Sequence, residues 1–574
     1  MFTPVIEMKK VLIATAFAVV AAGAWGKPAL RPVKITLPDG TEKVVLKHGH
    51  CKNRLRARVP EFAKDYLRST RGPGLYDYSF PCTGKQKVLV ILAEFQDVKF
   101  NSKNKAPYNK IDSKTYFTEM LNKKGFDTYG GTGSARDWFI DNSNGLFEPE
   151  FDVYGPVTLP QNVKYYGEND PKNRDNDKRP HEMIIDACKA LDSEIDFREY
   201  DRDGNGYVDN VYVFYAGYGE ADTEGQENTV WPHSWEISTA TAPNQFVSGN
   251  PLELDGVYID RYACSNETCG IVGISDDGYS YVYGNRPDGI GTFVHEFSHV
   301  MGLPDLYSTA EEYASYKDVP FTPEEFSVMD YGPYNNDGLT PPNYSAYERY
   351  ALDWMKPEML ASGTQSLENL ADSNRAFIIK TEREQEFYLV ENRQQTGWDK
   401  YLPGHGMLVW HVDFNQSVFV DNEVNNTKSH QYVDLVEADN IQDYPTGEDY
   451  FGYYIYPEST RTGDPFPGTK KVKSFGYNTT PSLRSWSGTN LGVELTDIAE
   501  NNGVISFVSA VDANNQYNGE AGVTDITEET EVLDADIYDM QGLQVGVMKG
   551  GEMPHLAPGI YILRSGSRIA KVII

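Results

Sequence analysis

The stretch TFVHEFSHVMGLPDLY, from Thr292 to Tyr307, constrains this chain more than any other part of its sequence. His295 and His299 stand four positions apart, so on a helix both imidazoles lie on one face and can bind a single Zn²⁺. Glu296 then lies beside the water that the metal binds. An isolated HExxH pattern also occurs by chance in soluble helices, where its side chains are merely solvated. The pattern alone therefore leaves a zinc hydrolase and an ordinary polar helix open.

The residues after the second histidine favour the metal site. Gly302 comes three residues after His299, where a residue that tolerates positive φ can end a helix and turn the chain back. Asp305 follows and provides a third ligand. We therefore predict that zinc is bound by His295, His299 and Asp305, with Glu296 as the general base.

A second signal, SVMDYG, lies further along the chain. Behind a zinc helix, a methionine in a tight turn, here Met329, forms an apolar floor under the metal. A tyrosine two residues later, Tyr331, is placed to reach the metal or the substrate oxyanion. We therefore predict Tyr331 as a second catalytic residue beside Glu296.

Two other interpretations stay open on the sequence. In a different class of zinc enzyme, a glutamate far downstream, such as Glu324 or Glu348, replaces Asp305 as the third protein ligand. In a secreted β-rich binding or adhesion protein, the zinc unit is vestigial or purely structural. The presence of Glu296 weighs against this second interpretation, because a structural zinc site has no use for the glutamate and is usually closed by four ligands.

Length and charge bound the class of protein. A chain of 574 residues exceeds what one hydrophobic core usually supports, so we expect two large folded units and smaller terminal segments. The net charge of −32 argues against nucleic acid and against anionic membranes as partners. The charge therefore favours a soluble protein, and the expected partners, protein or peptide substrates, follow from the zinc hydrolase signal rather than from the charge.

The N-terminal residues have the pattern of an export signal. Lys9 and Lys10 precede an apolar run over residues 11–22, and small residues follow up to Gly26. This pattern is typical of a signal peptide over residues 1–26, and no later apolar stretch approaches the ~20 residues of a membrane span. We therefore expect a secreted or cell-surface protein without an integral membrane span.

The loop DRDGNGYVD, Asp201–Asp209, carries oxygen-bearing side chains at alternate positions, with glycines that permit the turn. Such a loop favours Ca²⁺, bound here as a structural ion. The loop departs from an EF-hand because its twelfth position is Tyr212 rather than glutamate, and a polar turn leading into a strand is the alternative. The predicted calcium ligands are Asp201, Asp203, Asn205 and Asp209.

The cysteines suggest one disulfide. Five cysteines leave one over from any complete pairing. Cys264 and Cys269 are close enough along an exported chain to close a small loop when oxidised, so we predict a disulfide between them. Cys188 falls in the amphipathic pattern IIDACKAL and is expected to be a small buried residue of a helix.

Changes in pattern along the chain divide it into segments. A leader with a predicted hairpin in KITLPDGTEKVVL precedes the apolar strand KVLVILAEF, which begins the catalytic core; this leader is either a propeptide or a small structural subdomain. Later, alternating strands predict a β-sandwich, and a polar acidic stretch predicts a linker before a small β-module. The predicted division is 1–26 signal peptide, 27–85 propeptide, 86–362 catalytic domain, 363–511 β-sandwich domain, 512–530 linker and 531–574 C-terminal β-module.

HEFSHVMGLPDLY, SVMDYG and DRDGNGYVDNVYVFYAGYGEA together resemble the M6 family of zinc metallopeptidases, the immune inhibitor A-like peptidases. Further segments between about Lys87 and Val508, among them GTGSARDWF, DVYGPVTLP and LPGHGMLVWHVD, are similar to family segments in the family's order. The resemblance implies an α+β, metzincin-like zinc protease domain, with His295, His299 and Asp305 at the ligand positions and the adjacent glutamate as general base. It implies a secreted zinc endopeptidase that hydrolyses peptide bonds of extracellular proteins.

The C-terminal module is similar to a type IX secretion sorting domain, on the segments YDMQG and LAPGIYILRSG. This resemblance implies passage across the outer membrane of a Gram-negative bacterium, with the type IX secretion machinery as a partner and loss of the module during export. In the leader, KITLPDGTEKVVLKHG resembles the start of an M6 propeptide.

Overall fold

The computed structural model divides the chain into two units, residues 1–518 and residues 519–574. The predicted signal peptide and residues 513–530 of the predicted linker lie outside the described residues. The described residues are 31–36, 42–47, 58–63, 80–101, 108, 111–170, 176–221, 229–242, 249–269, 271–274, 280–283, 286–310, 316–444, 446–448, 454–455, 459–512, 534–538, 544–549, 554, 560–565 and 568–573.

In the first unit, strands form one hairpin and three larger sheets, on which helices pack. The strands are β1 (Arg31–Thr36), β2 (Glu42–Lys47), β3 (Gly84–Glu94), β4 (Phe147–Thr158), β5 (Val211–Tyr218), β6 (His233–Glu236), β7 (Arg261–Thr268), β8 (Glu358–Met359), β9 (Gly363–Leu367), β10 (Phe377–Lys380), β11 (Glu386–Arg393), β12 (Gly406–Asp413), β13 (Val433–Leu435), β14 (Phe475–Gly476), β15 (Val493–Asn501) and β16 (Val504–Val511). The helices are α1 (Ser113–Asn122), α2 (Ala135–Asn142), α3 (Val163–Gly167), α4 (Pro180–Ala190), α5 (Ile237–Ala240), α6 (Gly291–Val300), α7 (Ala346–Ala351), α8 (Leu370–Ser373) and α9 (Gln416–Val420). Short two-stranded ladders pair Asn169–Asp170 with Asn176–Asp177, Leu252–Leu254 with Val257–Ile259, Ile271–Ile274 with Ser280–Tyr283, and Gly447–Glu448 with Tyr454–Ile455.

A five-stranded sheet of order β4–β3–β5–β7–β6 forms the framework of the N-terminal half of this unit. β4, β3, β5 and β7 run parallel, and β6 joins the edge antiparallel to β7. Residues 88–93 of β3 are continuously apolar because both faces of the strand are buried there. Val88 and Val90 belong to one hydrophobic cluster, whereas Leu89 and Ile91 belong to another. The predicted buried strand is thus confirmed.

Helices cover both faces of this sheet. α4 packs on one face, where Met183 and Cys188 are fully buried, which confirms the predicted burial of Cys188. α6 packs on the other face, where Phe293 lies against Phe214 of β5 with ring centroids 5.5 Å apart and against Phe151 of β4 at 5.2 Å. The arrangement is the mixed α and β architecture expected for this half of the chain.

Two further sheets follow along the chain and share a hydrophobic cluster. One has the order β8–β10–β11–β12–β13 and the other the order β9–β16–β15–β14. Apolar side chains from both sheets, including Val390, Val409 and Phe507, form this cluster. Other side chains of β11 and β12, including Leu389 and Trp410, belong to the cluster that contains α6. The C-terminal half of the unit therefore shares a hydrophobic core with α6.

The shared core also contains residues of the predicted propeptide. Val59 and Phe80 are 4% and 1% exposed, and Phe80 contacts Phe297 of α6 with ring centroids 5.2 Å apart. The predicted boundary at residue 362 likewise falls between residues of one hydrophobic cluster. Ahead of these residues, β1 and β2 form the antiparallel hairpin that the sequence predicts.

The second unit contains a four-stranded antiparallel sheet. Its strands are β17 (Asp534–Tyr538), β18 (Gln544–Lys549), β19 (Ile560–Ser565) and β20 (Arg568–Ile573), in the order β18–β17–β19–β20. The role of this unit as a sorting module stays a prediction. Within the described residues of the whole chain, no helix has the length and apolarity needed to cross a lipid bilayer.

The predicted disulfide between Cys264 and Cys269 is wrong. β7 carries the chain away from Cys264 in an extended conformation, in which successive residues are about 3.3 Å apart. The two Cα atoms are therefore much further apart than the roughly 4.4–6.8 Å that a disulfide spans. The thiol of Cys264 is instead buried, with its sulfur 3.5 Å from Nδ1 of His233.

Candidate metal centre

α6 carries the HEFSH pattern and is buried on nearly every side. Its apolar residues Phe293, Val294 and Phe297 belong to the shared core. A helix with apolar residues all round is an interior helix, held by packing rather than by solvent-facing charge. His295 and Glu296, which are 7% and 4% exposed, therefore lie on a rigid element in surroundings that contain little water.

The helix ends where the sequence predicts a turn. Met301 is its C-cap residue, and Gly302 has a φ of 96°, which side chains with a Cβ rarely adopt. The carbonyl oxygen of Gly302 accepts a hydrogen bond from the backbone N–H of Arg58 at 3.0 Å. The turn brings Asp305 back towards the two histidines.

Three side-chain atoms converge beside this turn. Oδ1 of Asp305 lies 3.3 Å from Nε2 of His295 and 3.1 Å from Nε2 of His299. The three ligand atoms lie within 4.8 Å of one another, and all three residues are buried. In the part of the chain that the structure describes, His295, His299 and Asp305 form the one group of histidine, cysteine or acidic side chains whose spacing suits a metal ion. The structure thus brings the three predicted ligands together.

Hydrogen bonds fix the protonation of both imidazoles. Nδ1 of His295 lies 2.8 Å from the carbonyl oxygen of Val328, and Nδ1 of His299 lies 2.8 Å from that of Leu303. A carbonyl only accepts, so Nδ1 carries a proton in each ring, and in the neutral ring Nε2 then presents a lone pair to a metal. Oδ1 of Asp305 is buried and receives no hydrogen bond. Two nitrogen lone pairs and a carboxylate oxygen at this spacing fit Zn²⁺ and would repel one another without a cation.

Glu296 lies beside the metal group, in the wall of a cleft that His295 also lines. Burial raises the pKa of Glu296 to about 8, against the opposing effect of His295 and with a further increase from Asp305. A carboxyl group whose pKa lies near neutral pH can accept a proton and return it. The position and the chemistry both suit the predicted general base.

Aromatic residues form other parts of the cleft wall. Trp231, Tyr307 and Tyr334 line it together with Glu296, and the hydroxyl of Tyr307 donates to the carboxylate of the third ligand. Tyr331 is 6% exposed and is not among the residues that line the cleft. Tyr334, three residues further along, is therefore an alternative to Tyr331 for the predicted contact with the substrate oxyanion.

The SVMDYG turn supports the metal ligands through its backbone. The carbonyl oxygen of Val328 holds His295, and the carbonyl oxygen of Met329 accepts from the backbone N–H of Leu306 at 2.8 Å. Met329 is 1% exposed in the shared core, and its own N–H donates to Oγ of Ser327 at 3.0 Å. The turn thus connects α6 with the segment that carries Asp305, the predicted third ligand.

The two glutamates that offered an alternative third ligand lie elsewhere. Glu348 is 0% exposed and accepts hydrogen bonds from Oγ of Ser327 and from the backbone N–H of Ser345, each at 2.6 Å. Glu324 forms an ion pair with Arg461 at 2.7 Å. Neither belongs to the metal group, so the structure favours Asp305 as the third ligand.

The carboxylates of the predicted calcium loop bond within the loop itself. Asp201 and Asp203 each accept from the backbone N–H of Asn205 at 3.0 Å. Asp209 forms an ion pair with Arg202 at 2.9 Å. Among the described residues, three acidic, histidine or cysteine side chains with metal-ligand spacing do not come together in this loop. Calcium at this loop stays a prediction.

Asn422 is a residue of the site that sequence reasoning missed. It stands 117 residues after Asp305, and its Nδ2 donates to Oδ2 of Asp305 at 2.6 Å. Its Oδ1 accepts from the backbone N–H of Asp305 at 2.8 Å. Its one sequence signal is the asparagine-rich segment DNEVNN, which no spacing rule connects with a zinc motif.

Residues 82–360 match the family model for the immune inhibitor A peptidase M6 catalytic domain. The chain is 25% identical over 287 residues to immune inhibitor A of Bacillus thuringiensis subsp. alesti, which covers 46% of this chain and 38% of that protein. It is 22% identical over 248 residues to pre-pro-metalloprotease PrtV of Vibrio cholerae serotype O1 (strain M66-2), which covers 39% of this chain and 25% of that protein. The chain thus spans less than two fifths of the length of these curated relatives. The matches confirm the M6 resemblance for residues 82–360 and support a metalloprotease catalytic domain there.

Proposed function

We propose that this chain is a zinc-dependent endopeptidase that hydrolyses peptide bonds of extracellular proteins. The observation that carries the proposal is the convergence of His295, His299 and Asp305 within 4.8 Å, with Glu296 beside them in the cleft. Three protein ligands leave a fourth position for water or substrate, as catalytic zinc sites require. The match of residues 82–360 to M6 peptidase catalytic domains supports the same class of reaction.

The residues around the metal group supply positioning and proton transfer. Zn²⁺ at these ligands would polarise the scissile carbonyl and lower the pKa of a bound water. Glu296 would accept the proton released by that water and give it to the leaving amine. Burial favours the neutral form of Glu296, and a cation held by the neighbouring ligands would favour the carboxylate that accepts the proton. The carbonyls of Val328 and Leu303 keep both imidazoles oriented.

Stabilisation of the oxyanion by Tyr331 remains part of the proposal, with Tyr334 as the rival. Tyr334 lines the cleft, whereas Tyr331 is 6% exposed. In comparable sites, loss of one such donor lowers kcat by about 10²–10³-fold. Each tyrosine is replaced by phenylalanine in turn. The replacement that causes this loss of kcat while zinc content stays unchanged identifies the residue that stabilises the oxyanion.

Glu296→Gln tests the proposal because it preserves the shape of the side chain and removes its ability to accept a proton. We expect full zinc content and a loss of casein hydrolysis of at least about 10²-fold. Asp305→Ala should lose bound zinc, whereas Glu348→Ala, at the other ligand candidate, should retain it. Substantial casein hydrolysis by the Glu296→Gln protein would contradict the assignment.

A secreted β-rich binding protein with a non-catalytic zinc unit is the alternative function. The strand-rich region of residues 363–511 fits a binding protein. A non-catalytic zinc unit, however, does not need a glutamate such as Glu296 beside the metal. Casein zymography with and without a chelator separates the two functions. A wild-type protein that binds zinc and produces no clearing band would favour the alternative.

The proposal includes export and processing. A signal peptide over residues 1–26, a propeptide over 27–85 and a type IX sorting module over 531–574 predict a shortened protein outside the cell. Mass spectrometry of the secreted chain locates its two termini. A structural Ca²⁺ at Asp201, Asp203, Asn205 and Asp209 is tested by metal analysis of the wild type and of Asp201→Asn.

A further inference from the structure

The third ligand lacks the support of a helix. Asp305 lies in the irregular segment of residues 301–310 that follows α6. His295 and His299 are placed by the helix that carries them, whereas a ligand on a loop must be positioned by contacts from elsewhere. Part of that contact comes from residues 421–426, the turn that follows α9.

Asn422 forms two hydrogen bonds with Asp305. Its Nδ2 donates to Oδ2 of the carboxylate at 2.6 Å, and its Oδ1 accepts from the backbone N–H of the same aspartate at 2.8 Å. A hydrogen bond to an ionised carboxylate is shorter and stronger than one between neutral groups. Because Oδ2 is held by Asn422 and by no histidine, Oδ1 is the oxygen presented to the two imidazoles.

The turn that carries Asn422 is itself fixed. Asn422 is 5% exposed, with a φ of 55°, and its backbone N–H donates to the carbonyl oxygen of Phe419 at 3.2 Å. Its own carbonyl oxygen accepts from Oγ1 of Thr309. Phe419 and Val424, on either side, are buried in the shared core. The amide of Asn422 is therefore held rigidly in front of Asp305.

Two further asparagines attach the same turn to the ligand segment at other points. Nδ2 of Asn425 donates to the carbonyl oxygen of Leu306 at 2.8 Å. Oδ1 of Asn426 accepts from Oγ of Ser308 at 3.0 Å and from the backbone N–H of Thr309 at 2.7 Å. These contacts join the two segments without touching the carboxylate of the third ligand, so they provide a matched control for Asn422.

We propose that Asn422 is a positioning residue for the third metal ligand, so that the metal site is complete only when residues 421–426 are folded against it. The inference rests on the proposed zinc site. Groups that orient metal ligands in this way commonly change metal affinity by 10–100-fold when they are removed. Without the Asn422 donor, the carboxylate of Asp305 keeps the hydrogen bond from Tyr307 but has more freedom to rotate and present either oxygen to the metal.

Asn422→Ala and Asn422→Asp test the inference, with Asn426→Ala as the control. Asn422→Asp keeps the size of the side chain and its acceptor for the Asp305 N–H, while it replaces the donor to the carboxylate by an oxygen that carries negative charge. We expect the zinc dissociation constant to rise about 10–100-fold in Asn422→Ala and at least as much in Asn422→Asp. Asn426→Ala should change it by less than about 3-fold, although it loosens the same turn.

The readouts separate positioning from folding. Zinc affinity is measured by competition with a chromophoric chelator, and the absorption spectrum of the Co²⁺ form reports the coordination geometry. The spectrum should change in both Asn422 variants and stay as in the wild type in Asn426→Ala. If Asn422→Ala does not fold, Asn422→Asp, which keeps the packing of the turn, carries the test alone.

The outcomes distinguish this inference from the proposed function. Wild-type zinc affinity and an unchanged Co²⁺ spectrum in Asn422→Asp would overturn the inference, whatever the protein hydrolyses. A wild type that binds zinc tightly but hydrolyses no casein would overturn the proposed function, while weakened zinc binding in the Asn422 variants would still support the inference. A wild type that binds no zinc would overturn both.

Discussion

At the scale of single residues, Asp464 is a buried carboxyl group whose environment disfavours its charged form. It is 1% exposed, and its Oδ1 has no hydrogen-bond partner. Burial raises the pKa of Asp464 to about 9, with a further increase from Asp439 and Asp443 and an opposing effect of Arg461. The folded protein therefore keeps the proton on Asp464 at pH values where the unfolded chain, with a pKa of about 3.9, has released it.

The sign of the pH dependence follows from this difference. The folded state binds more protons than the unfolded state between about pH 4 and pH 9, so Asp464 lowers the stability progressively as the pH rises through that window. We expect Asp464→Asn to raise the free energy of unfolding by at least about 1 kcal/mol at pH 8, and by much less at pH 5. Thermal unfolding at both pH values measures the effect. Asp497→Asn, at an exposed carboxylate, is the control for the loss of one charge. Equal shifts at both pH values in Asp464→Asn would contradict the assignment.

Single residues also show how far the sequence predicts the site. His295, Glu296 and His299 follow from helical periodicity, because four residues bring two side chains to one face. Asp305 follows from the turn at Gly302. The contact of Asn422 with Asp305 depends on how two segments 117 residues apart meet in the folded chain, and local patterns carry no information on such pairs.

At the scale of elements, the end of α6 depends on close backbone packing. An ideal Cβ on Gly302 would lie 2.6 Å from the backbone nitrogen of Arg58, and Gly302 has a φ of 96°. Arg58 cannot move easily, because its guanidinium forms an ion pair with Asp353 at 2.9 Å. The predicted propeptide therefore contributes residues that fix the turn between the proposed second and third metal ligands.

Gly302→Ala should destabilise the fold more than positive φ alone explains. The control is Gly130→Ala, because Gly130 has a φ of 93° and no atom within 4 Å of an added Cβ. We expect a loss of about 1 kcal/mol for Gly130→Ala and of at least about 2 kcal/mol for Gly302→Ala, which adds a backbone clash. Urea unfolding measures both, and zinc affinity should fall in Gly302→Ala alone. Equal losses in the two variants would show that Arg58 does not confine the turn.

Local patterns predict the elements better than they predict the links between elements. The α2 helix begins after Ser134, whose side chain forms a capping box with Asp137, and this follows from the SARDWF segment. The Cys264–Cys269 disulfide failed because proximity in sequence does not bring two side chains together along an extended strand. The residues of a segment determine which helix or strand it forms and where that element begins. Its contacts with other segments depend on the rest of the chain.

At the scale of the whole molecule, the regions on either side of residue 362 are joined by polar contacts as well as by the shared core. Arg393 of β11 forms a buried ion pair with Asp399, and its Nη2 donates to the carbonyl oxygen of Asn343 at 2.9 Å. Asp399 accepts from the backbone N–H of Asn343 at 2.9 Å. At residue 362 the sequence changes from mixed to alternating patterns, and strands replace the mixture of helices and strands. The hydrophobic core nevertheless continues across this position.

A chain that covers residues 27–362 should therefore fail to fold, whereas one that covers residues 27–518 should fold. Without β11 and β12, the face that packs on Leu389 and Trp410 is exposed, and Asp305 loses Asn422. We expect residues 27–362 to bind the dye ANS, to lack a cooperative thermal transition and to bind zinc weakly. Residues 27–518, which correspond to the first unit without its first 26 residues, should unfold cooperatively and bind zinc as the full chain does. A cooperative transition with tight zinc binding in residues 27–362 would show that this segment folds independently of the sheets that follow it.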